Sequence, residues 1–247
     1  MPVQSLTRAF DIVELLAQKP HGLSLSQIAE ALALPTSTVY RLLSALKERG
    51  YVEQTKKSGS YRIGLTFVDM SSLYLNRLEL KTEAEPVLRE LSMHTGQTAF
   101  LAVRDGWQII YIDKMEEFNS LRKYSIIGQR KPVYSTSLGK ALLMGLDDDG
   151  ISDLLSDVQF EQLGPKTHSD LPRLLVDIRS SRDRGWALDD EEAEPGVRCV
   201  AAPISDYRNT VIASVSVSWS MAAFPAMNIE ETAEQVKRAA LEISRHM

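Results

Sequence analysis

The sequence predicts an α+β protein in which a small helical module precedes a larger, strand-rich one. Three observations carry that expectation. Three apolar quartets at helical spacing fall within the first 46 residues, short β-type runs begin after Gly50, and from residue 97 onward strands joined by short turns alternate with helices.

The quartets Ala9/Ile12/Val13/Leu16, Leu25/Ile28/Ala29/Leu32 and Val39/Leu42/Leu43/Leu46 each follow i, i+3, i+4, i+7. Each is one buried stripe of an amphipathic helix, and together they describe a three-helix core. Pro20-His21-Gly22 separates the first helix from the second. Ser24-Leu25-Ser26-Gln27 reads as a capping box, in which Ser24 and Gln27 satisfy free amides reciprocally. Only Ala33-Leu34-Pro35 divides the second helix from the third, and Gly50 stops the third. Tyr51–Thr55 and Tyr61–Ile63 flank the basic loop Lys56-Lys57-Ser58-Gly59-Ser60, a hairpin pattern. Helix, helix, tight turn, helix, hairpin is the layout of a winged helix-turn-helix over residues 1–65.

Residues 66–81 read as a linker helix. Its apolar side chains Phe67, Met70, Leu73, Tyr74 and Leu78 cover an arc wide enough to pack on a neighbouring domain or a second subunit. Over residues 82–247 the pattern gives a helix at Glu83–Thr95 and strands at Gln97–Val103, Trp107–Met115 and Ser120–Ser125. Helices start near Ser137 and cover Asp170–Arg184. Strands follow at Trp186–Asp189, Cys199–Ser205 and Val211–Trp219, before a closing helix over Asn228–Met247. This second region reads as a sensor-like α+β domain.

Composition narrows the function. The 247 residues are 44% hydrophobic, enough for a buried core, and no apolar run reaches the ~18 residues of a membrane span. The N-terminus lacks the basic-then-apolar layout of a signal peptide, and the single Cys199 has no internal disulfide partner, so a cytoplasmic location is expected. The net charge of −5 is uneven. Residues 1–65 hold eight Lys and Arg against five Asp and Glu, leaving an acidic remainder. A basic end on an acidic body suggests a polyanionic partner for the first module.

On the third helix, the face opposite the buried quartet carries Ser37, Tyr40, Arg41 and Ser44, with Thr36 and Thr38 at its start. Short hydroxyl side chains can donate to phosphate and approach base edges. Arg41 can bind guanine bidentately or reach a phosphate. Ser26 on the second helix and Lys56 and Lys57 in the wing complete the candidate double-stranded-DNA face, the wing lying on backbone or minor groove. The competing expectation is a plain protein-interaction module.

Three constellations in the second region invite chemistry. Ser137 and Lys140 form an S-x-x-K pair, which in acyl-transfer enzymes sets an amine one turn from a nucleophilic hydroxyl, but no companion motif accompanies it. The alternative is that the amides of Ser137 and Leu138 cradle a carboxylate. The run Asp189-Asp190-Glu191-Glu192 reads as a solvated acidic loop rather than a metal site, with Asp189 turned inward to a ligand hydroxyl. In Val215-Ser216-Val217-Ser218, alternation puts both serines on one face, either lining a pocket or exposed. Cys199 is a buried apolar residue, a pocket wall or a reactive thiol. The histidines show no metal-ligand spacing, and no cofactor motif is present, so neither metal nor cofactor is expected.

Several stretches resemble the IclR family of bacterial transcription regulators: Val3-Gln4-Ser5-Leu6-x-Arg8-Ala9, Ser37-Thr38-Val39-Tyr40-Arg41-Leu42-Leu43, Ser137-x-Gly139-Lys140-Ala141, and above all Gly185-x-x-x-Asp189-Asp190-Glu191-Glu192-x-x-x-Gly196-Val197-Arg198-Cys199-x-Ala201-x-Pro203. The resemblance implies a winged helix-turn-helix, a linker helix and a GAF- or profilin-like effector domain. It also implies a non-enzymatic repressor-type regulator, acting as a homodimer or homotetramer on a palindromic operator. Its effector pocket would use the backbone amides of Ser137 and Leu138 with Asp189, Cys199, Ser216 and Ser218. The segment from Leu121 to Thr136 is similar to the KdgR subgroup, which answers to 2-keto-3-deoxygluconate, and this favours a small sugar acid or 2-oxo acid.

Overall fold

The computed structural model describes residues 3–55, 58–75, 79–116 and 127–247. Lys56, Lys57, Leu78 and the strand expected at Ser120–Ser125 lie outside the described residues. The chain divides into two compact units, Met1–Arg77 and Leu78–Met247.

In the first unit, helices α1 (Gln4–Ala17), α2 (Leu25–Ala31) and α3 (Thr36–Glu48) precede a hairpin of β1 (Val52–Gln54) and β2 (Tyr61–Ile63), and α4 (Thr66–Leu75) follows. The expected stripes supply the core: Ile12, Leu16, Ile28, Val39 and Leu43 are buried together with Val52 and Tyr61 of the hairpin. Both halves of the capping box form at α2, Gln27 N donating to Ser24 Oγ and Ser24 N to Gln27 Oε1. Ala33 takes a left-handed φ of 51° to make the tight turn into α3. Tyr61 also exchanges backbone hydrogen bonds with Leu23, which ties the hairpin to the start of α2. This is the winged helix-turn-helix read from the sequence.

The second unit is built on a six-stranded antiparallel sheet of order β5-β4-β3-β8-β7-β6. Its strands are β3 (Thr98–Asp105), β4 (Gln108–Met115), β5 (Arg130–Pro132), β6 (Ala187–Asp190), β7 (Val197–Ser205) and β8 (Val211–Ser220). Helices α5 (Glu79–Thr95) and α9 (Ile229–Ser244) pack on one face; α6 (Ser137–Leu143) packs on the other, with α7 (Asp148–Leu154) and α8 (Leu171–Arg184) outside it. Strand β5 and helix α7 were not expected from the sequence, and α5 begins four residues earlier than its apolar pattern implied. Strand β5 has three residues and owes its conformation to pairing with β4.

Gly139 makes this layering possible. A Cβ there would lie 2.4 Å from both Cα and O of Val133, so α6 approaches the preceding turn more closely than any side chain permits. Gly139→Ala should therefore destabilise the second unit by about 1–3 kcal/mol through overpacking, read by thermal unfolding, with the fold of the first unit unchanged.

Candidate functional site

On the outer face of α3, Thr36, Ser37, Tyr40, Arg41 and Ser44 are exposed and Thr38 is half-buried, while Val39 and Leu43 on the inner face are fully buried. Ser44 Oγ donates to the Tyr40 carbonyl at 2.8 Å, so this hydroxyl is used by the helix itself. Arg41 has no hydrogen-bond or ion-pair partner among the described residues and extends into solvent from the middle of the face. Ser26 is exposed on α2, its hydroxyl 3.0 Å from that of Ser24. A helix presenting hydroxyls and an unpaired guanidinium, held by a short turn against a second helix, has the form of a major-groove reading element.

In the second unit, strand register does the assembling. Thr98 pairs with Ser218, Ser218 with Cys199, and Cys199 with Asp189, one row across four strands. The adjacent row is Phe100, Ser216, Ala201 and Ala187. Directly paired residues point to the same side of a sheet, so both rows face α6. There, Ser214 Oγ donates to the Leu138 carbonyl at 3.0 Å. A small cavity of about 30 Å³, room for about one water molecule, lies between this face and the start of α6. It is lined by Ser137, Leu138, Asp189, Cys199, Ser216 and Ser218, together with Phe100, Tyr111, Lys131, Thr136, Ala193, Glu194 and Val197. All six residues singled out in this region thus meet at one place. Neither serine is on an exposed strand face: Ser216 is 1% and Ser218 6% exposed.

The polar groups of the cavity are unevenly satisfied. Thr136 caps α6, its hydroxyl accepting from Gly139 N at 3.0 Å. The amides of Ser137 and Leu138 come first in the helix and so lack intrahelical acceptors. Ser218 Oγ donates to Cys199 Sγ at 3.0 Å. The buried Ser216 hydroxyl has no hydrogen-bond partner among the described residues. Asp189 Oδ1 accepts from the amides of Glu192 at 2.8 Å and Ala193 at 3.3 Å, yet burial, reinforced by the Glu192 charge, pushes its carboxyl up to about 7. Burial and the neighbouring Asp189 also hold the Cys199 thiol well above its ordinary range. Cys199 is therefore a neutral pocket wall rather than a reactive thiolate.

Beside the cavity, the fully buried Lys140 ammonium donates to Asp177 Oδ2 at 2.6 Å and to Glu192 Oε1 and Oε2 at 2.6 and 2.7 Å. Nε2 of His168 lies 3.1 Å from Asp177 Oδ2. Burial raises the Glu192 carboxyl against the pull of Lys140. Burial acts the same way on Asp177, but the His168 hydrogen bond and the Lys140 charge overcome it and hold that carboxyl well below its usual range. This corrects the expectation of a solvated acidic loop. Glu191 takes a left-handed φ of 62°, and Glu192 is buried. His168, Asp177 and Glu192 present ligand atoms within 4.8 Å of one another, but the two carboxylates already share the Lys140 ammonium as their cation. The same contacts remove the acyl-transfer alternative, because an ammonium held by two carboxylates has no lone pair with which to activate Ser137.

A DNA-reading helical unit on the same chain as a unit enclosing a small polar cavity defines a class: DNA-binding regulators with a sensor domain. Comparison with known proteins gives the family. The model described as the bacterial transcriptional regulator IclR C-terminal domain matches residues 72–245, and that of the IclR helix-turn-helix domain residues 5–56. The chain is 34% identical to the HTH-type transcriptional regulator XynR of Escherichia coli K12, over 99% of this chain and 98% of the relative. It is 33% identical to KdgR of the same organism, over 99% and 93%. The crystal structure of Thermotoga maritima IclR superposes with a TM-score of 0.83 at 32% identity, covering 98% of each chain. The protein belongs to the IclR family of bacterial transcriptional regulators; it binds DNA, and the family is one of regulators rather than enzymes. No helix among the described residues is long and apolar enough to cross a membrane.

Two predictions follow from the buried charges. Lys140→Met leaves two carboxylates without their cation and should cost on the order of 3–5 kcal/mol. The loss should be smaller at pH 5 than at pH 8, because Glu192 can then take up a proton; denaturant unfolding at the two pH values measures it. Asp189 has a raised carboxyl, so between about pH 4, where it ionises in the unfolded chain, and pH 7 its ionisation opposes folding. Stability from this group is full below that window and declines as pH rises through it. Asp189→Asn should therefore gain stability relative to the parent across the window, on the order of 4 kcal/mol by pH 8; a pH-independent difference would contradict the assignment.

Proposed function

We propose that this regulator is ligand-responsive and sequence-specific. Residues 1–65 read an operator, residues 66–81 link, and residues 82–247 bind a small organic or sugar acid that changes operator affinity. The cavity carries the sensing half of this reading: six residues from α6, β6, β7 and β8 line one small space, and one of them, Ser216, buries a hydroxyl without a partner among the described residues. An unmet buried hydroxyl costs about 1–3 kcal/mol, which a polar ligand would recover. In this reading, the amides of Ser137 and Leu138 hold a carboxylate, Ser216 and Ser218 contact oxygen substituents, and Asp189 meets a hydroxyl or oxo group. Leu138, Phe100 and Tyr111 narrow the cavity and so favour a short acid, consistent with the sugar-acid or 2-oxo-acid class suggested by the KdgR-like segment.

Arg41 reads a base, the hydroxyls of Thr36 and Ser37 with Ser26 and Thr38 set the helix on backbone and base edges, and Tyr40 and Ser44 border the same surface. Lys56 and Lys57 add phosphate contacts. A symmetric homodimer or homotetramer on a palindromic operator suits α4, where Val68, Met70, Leu73 and Tyr74 are all at least half exposed.

The experiment is operator binding with and without ligand. Arg41→Ala should weaken specific binding by roughly tenfold or more, about 1–3 kcal/mol, and relax specificity at the contacted base. Ser216→Ala should leave ligand-free operator affinity intact and abolish or blunt the response to a small acid. Unchanged specificity in the first variant would remove Arg41 from base reading. An unchanged response in the second would move the pocket elsewhere.

A further inference from the structure

Neither Lys47 nor Gln54 is among the candidate DNA-contacting residues, yet they connect the reading helix α3 to the wing. Their meeting follows from local structure. After α3, Gly50 takes a left-handed φ of 75°, and its amide donates to the Lys47 carbonyl at 3.0 Å. Tyr51 N donates to the Leu46 carbonyl at 2.9 Å. These bonds turn the chain back, so that β1 packs on α3, whose last turn carries Lys47. Alternation along β1 does the rest. Val52 is buried in the core, Glu53 points the other way and pairs with Arg62 across the ladder, and Gln54 returns to the face of Val52.

There the Gln54 amide is used at both ends. Its Oε1 accepts from Lys47 Nζ at 3.0 Å, and its Nε2 donates to the Gly59 carbonyl at 3.0 Å. A carboxamide offers an acceptor and donors on adjacent atoms without carrying charge. Here it relays one hydrogen bond from the end of α3 to the wing turn. The described part of that turn is closed on itself. Gly59 N donates to the Thr55 carbonyl and Thr55 N to the Ser60 carbonyl, both at 2.9 Å, and the Thr55 and Ser58 hydroxyls lie 2.6 Å apart. With the turn internally braced, its angle to α3 is what needs fixing. A ladder of three residue pairs holds that angle poorly, since a short two-stranded ribbon is marginal by itself. The Leu23–Tyr61 bonds hold the β2 side of the hairpin, and the Gln54 relay holds the β1 side.

We propose that Gln54 is a positioning residue for DNA contact: with Lys47 it locks the wing turn to the end of α3, so that helix and wing meet a duplex in one fixed relative orientation. This rests on the reading of residues 1–65 as the operator-binding unit. A wing set before DNA arrives loses less freedom on association, so its contacts add more to affinity.

Binding titrations with the full-length chain test it. The probe is a duplex that the parent selects from a random-sequence pool, used in two forms. One is trimmed to the base pairs that selection fixes, and the other extends about one helical turn beyond them on each side. The flanks should strengthen binding by the parent. Gln54→Met should lose about threefold to tenfold of that gain, while its affinity for the trimmed duplex stays within about twofold. Lys47→Met should lose the same gain, in addition to the affinity its charge supplies to both duplexes, and Lys47→Arg should keep it. The double variant Lys47→Met/Gln54→Met should lose no more of the flank gain than either single one. Gln54→Ala serves as a second variant should methionine disturb the hairpin. A parent-like flank gain in both Gln54 variants, or equal losses on trimmed and extended duplexes, overturns the relay and leaves the operator-binding unit standing. A parent that gains nothing from flanks overturns the relay as well. A parent that enriches no duplex from the pool overturns the reading of residues 1–65 and this proposal with it.

Discussion

The Lys140 ammonium, enclosed between Asp177 and Glu192, is the interaction on which the second unit's cavity depends. It joins two segments that share no backbone hydrogen-bond ladder. One is α6, which carries the Ser137 and Leu138 amides one turn before the lysine. The other is the turn after β6, where Glu192 uses its carboxylate for Lys140 and its amide for Asp189. A well-packed apolar pair could be as stable, since charges this deep lose much of their hydration. An apolar pair would not fix the orientation of Glu192, and through it the carboxyl of Asp189. The ion pair's contribution is geometric: it holds opposite walls of a small polar space at a fixed separation.

The sheet supplies the floor, and register is its governing constraint. Ser218, Cys199 and Asp189 come from three strands but stand in one cross-strand row, with Ser216 in the next. A slip of one residue between β7 and β8 would turn the serines toward α9 and bring Val215 and Val217 beneath α6. Apolar burial prevents that slip. Val215 and Val217 are fully buried on the helix α5 and α9 side, so the polar row is held in place by the hydrophobic row behind it.

This explains why the two halves of the chain differ in how much of them the sequence discloses. The first unit is legible because its determinants are local: stripes at helical spacing, a capping box complete within four residues, and a three-residue turn. In the second unit, alternation says that Ser216 and Ser218 share a face, but both faces of β8 are covered. Only the packing of α6 decides which one borders a cavity. Glu192 looked solvated because four acidic residues in a row resemble a surface run. The left-handed turn at Glu191 and the lysine 52 residues earlier that receives Glu192 have no local signature. Lys131 was illegible for the same reason. Strand β5 is three residues long, and its inward face is defined by Ile109 across the ladder rather than by any periodicity of its own.

A protein interior that pairs Lys140 so completely leaves the Ser216 hydroxyl without a partner among the described residues in the neighbouring cavity. A polar group that met that hydroxyl would recover part of the cost of burying it unpaired. A ligand that removes the deficit stabilises whichever state of the protein holds the cavity closed around it, and it can alter DNA affinity only to the extent that the DNA-bound and DNA-free states hold the cavity differently. The coupling is then reciprocal: operator DNA must change effector affinity by the same factor that effector changes operator affinity. In the proposed reading, the sensing and reading units need no contact between ligand and DNA, because what would pass between them is a difference in how tightly each state keeps Asp189, Ser216 and the start of α6 in place.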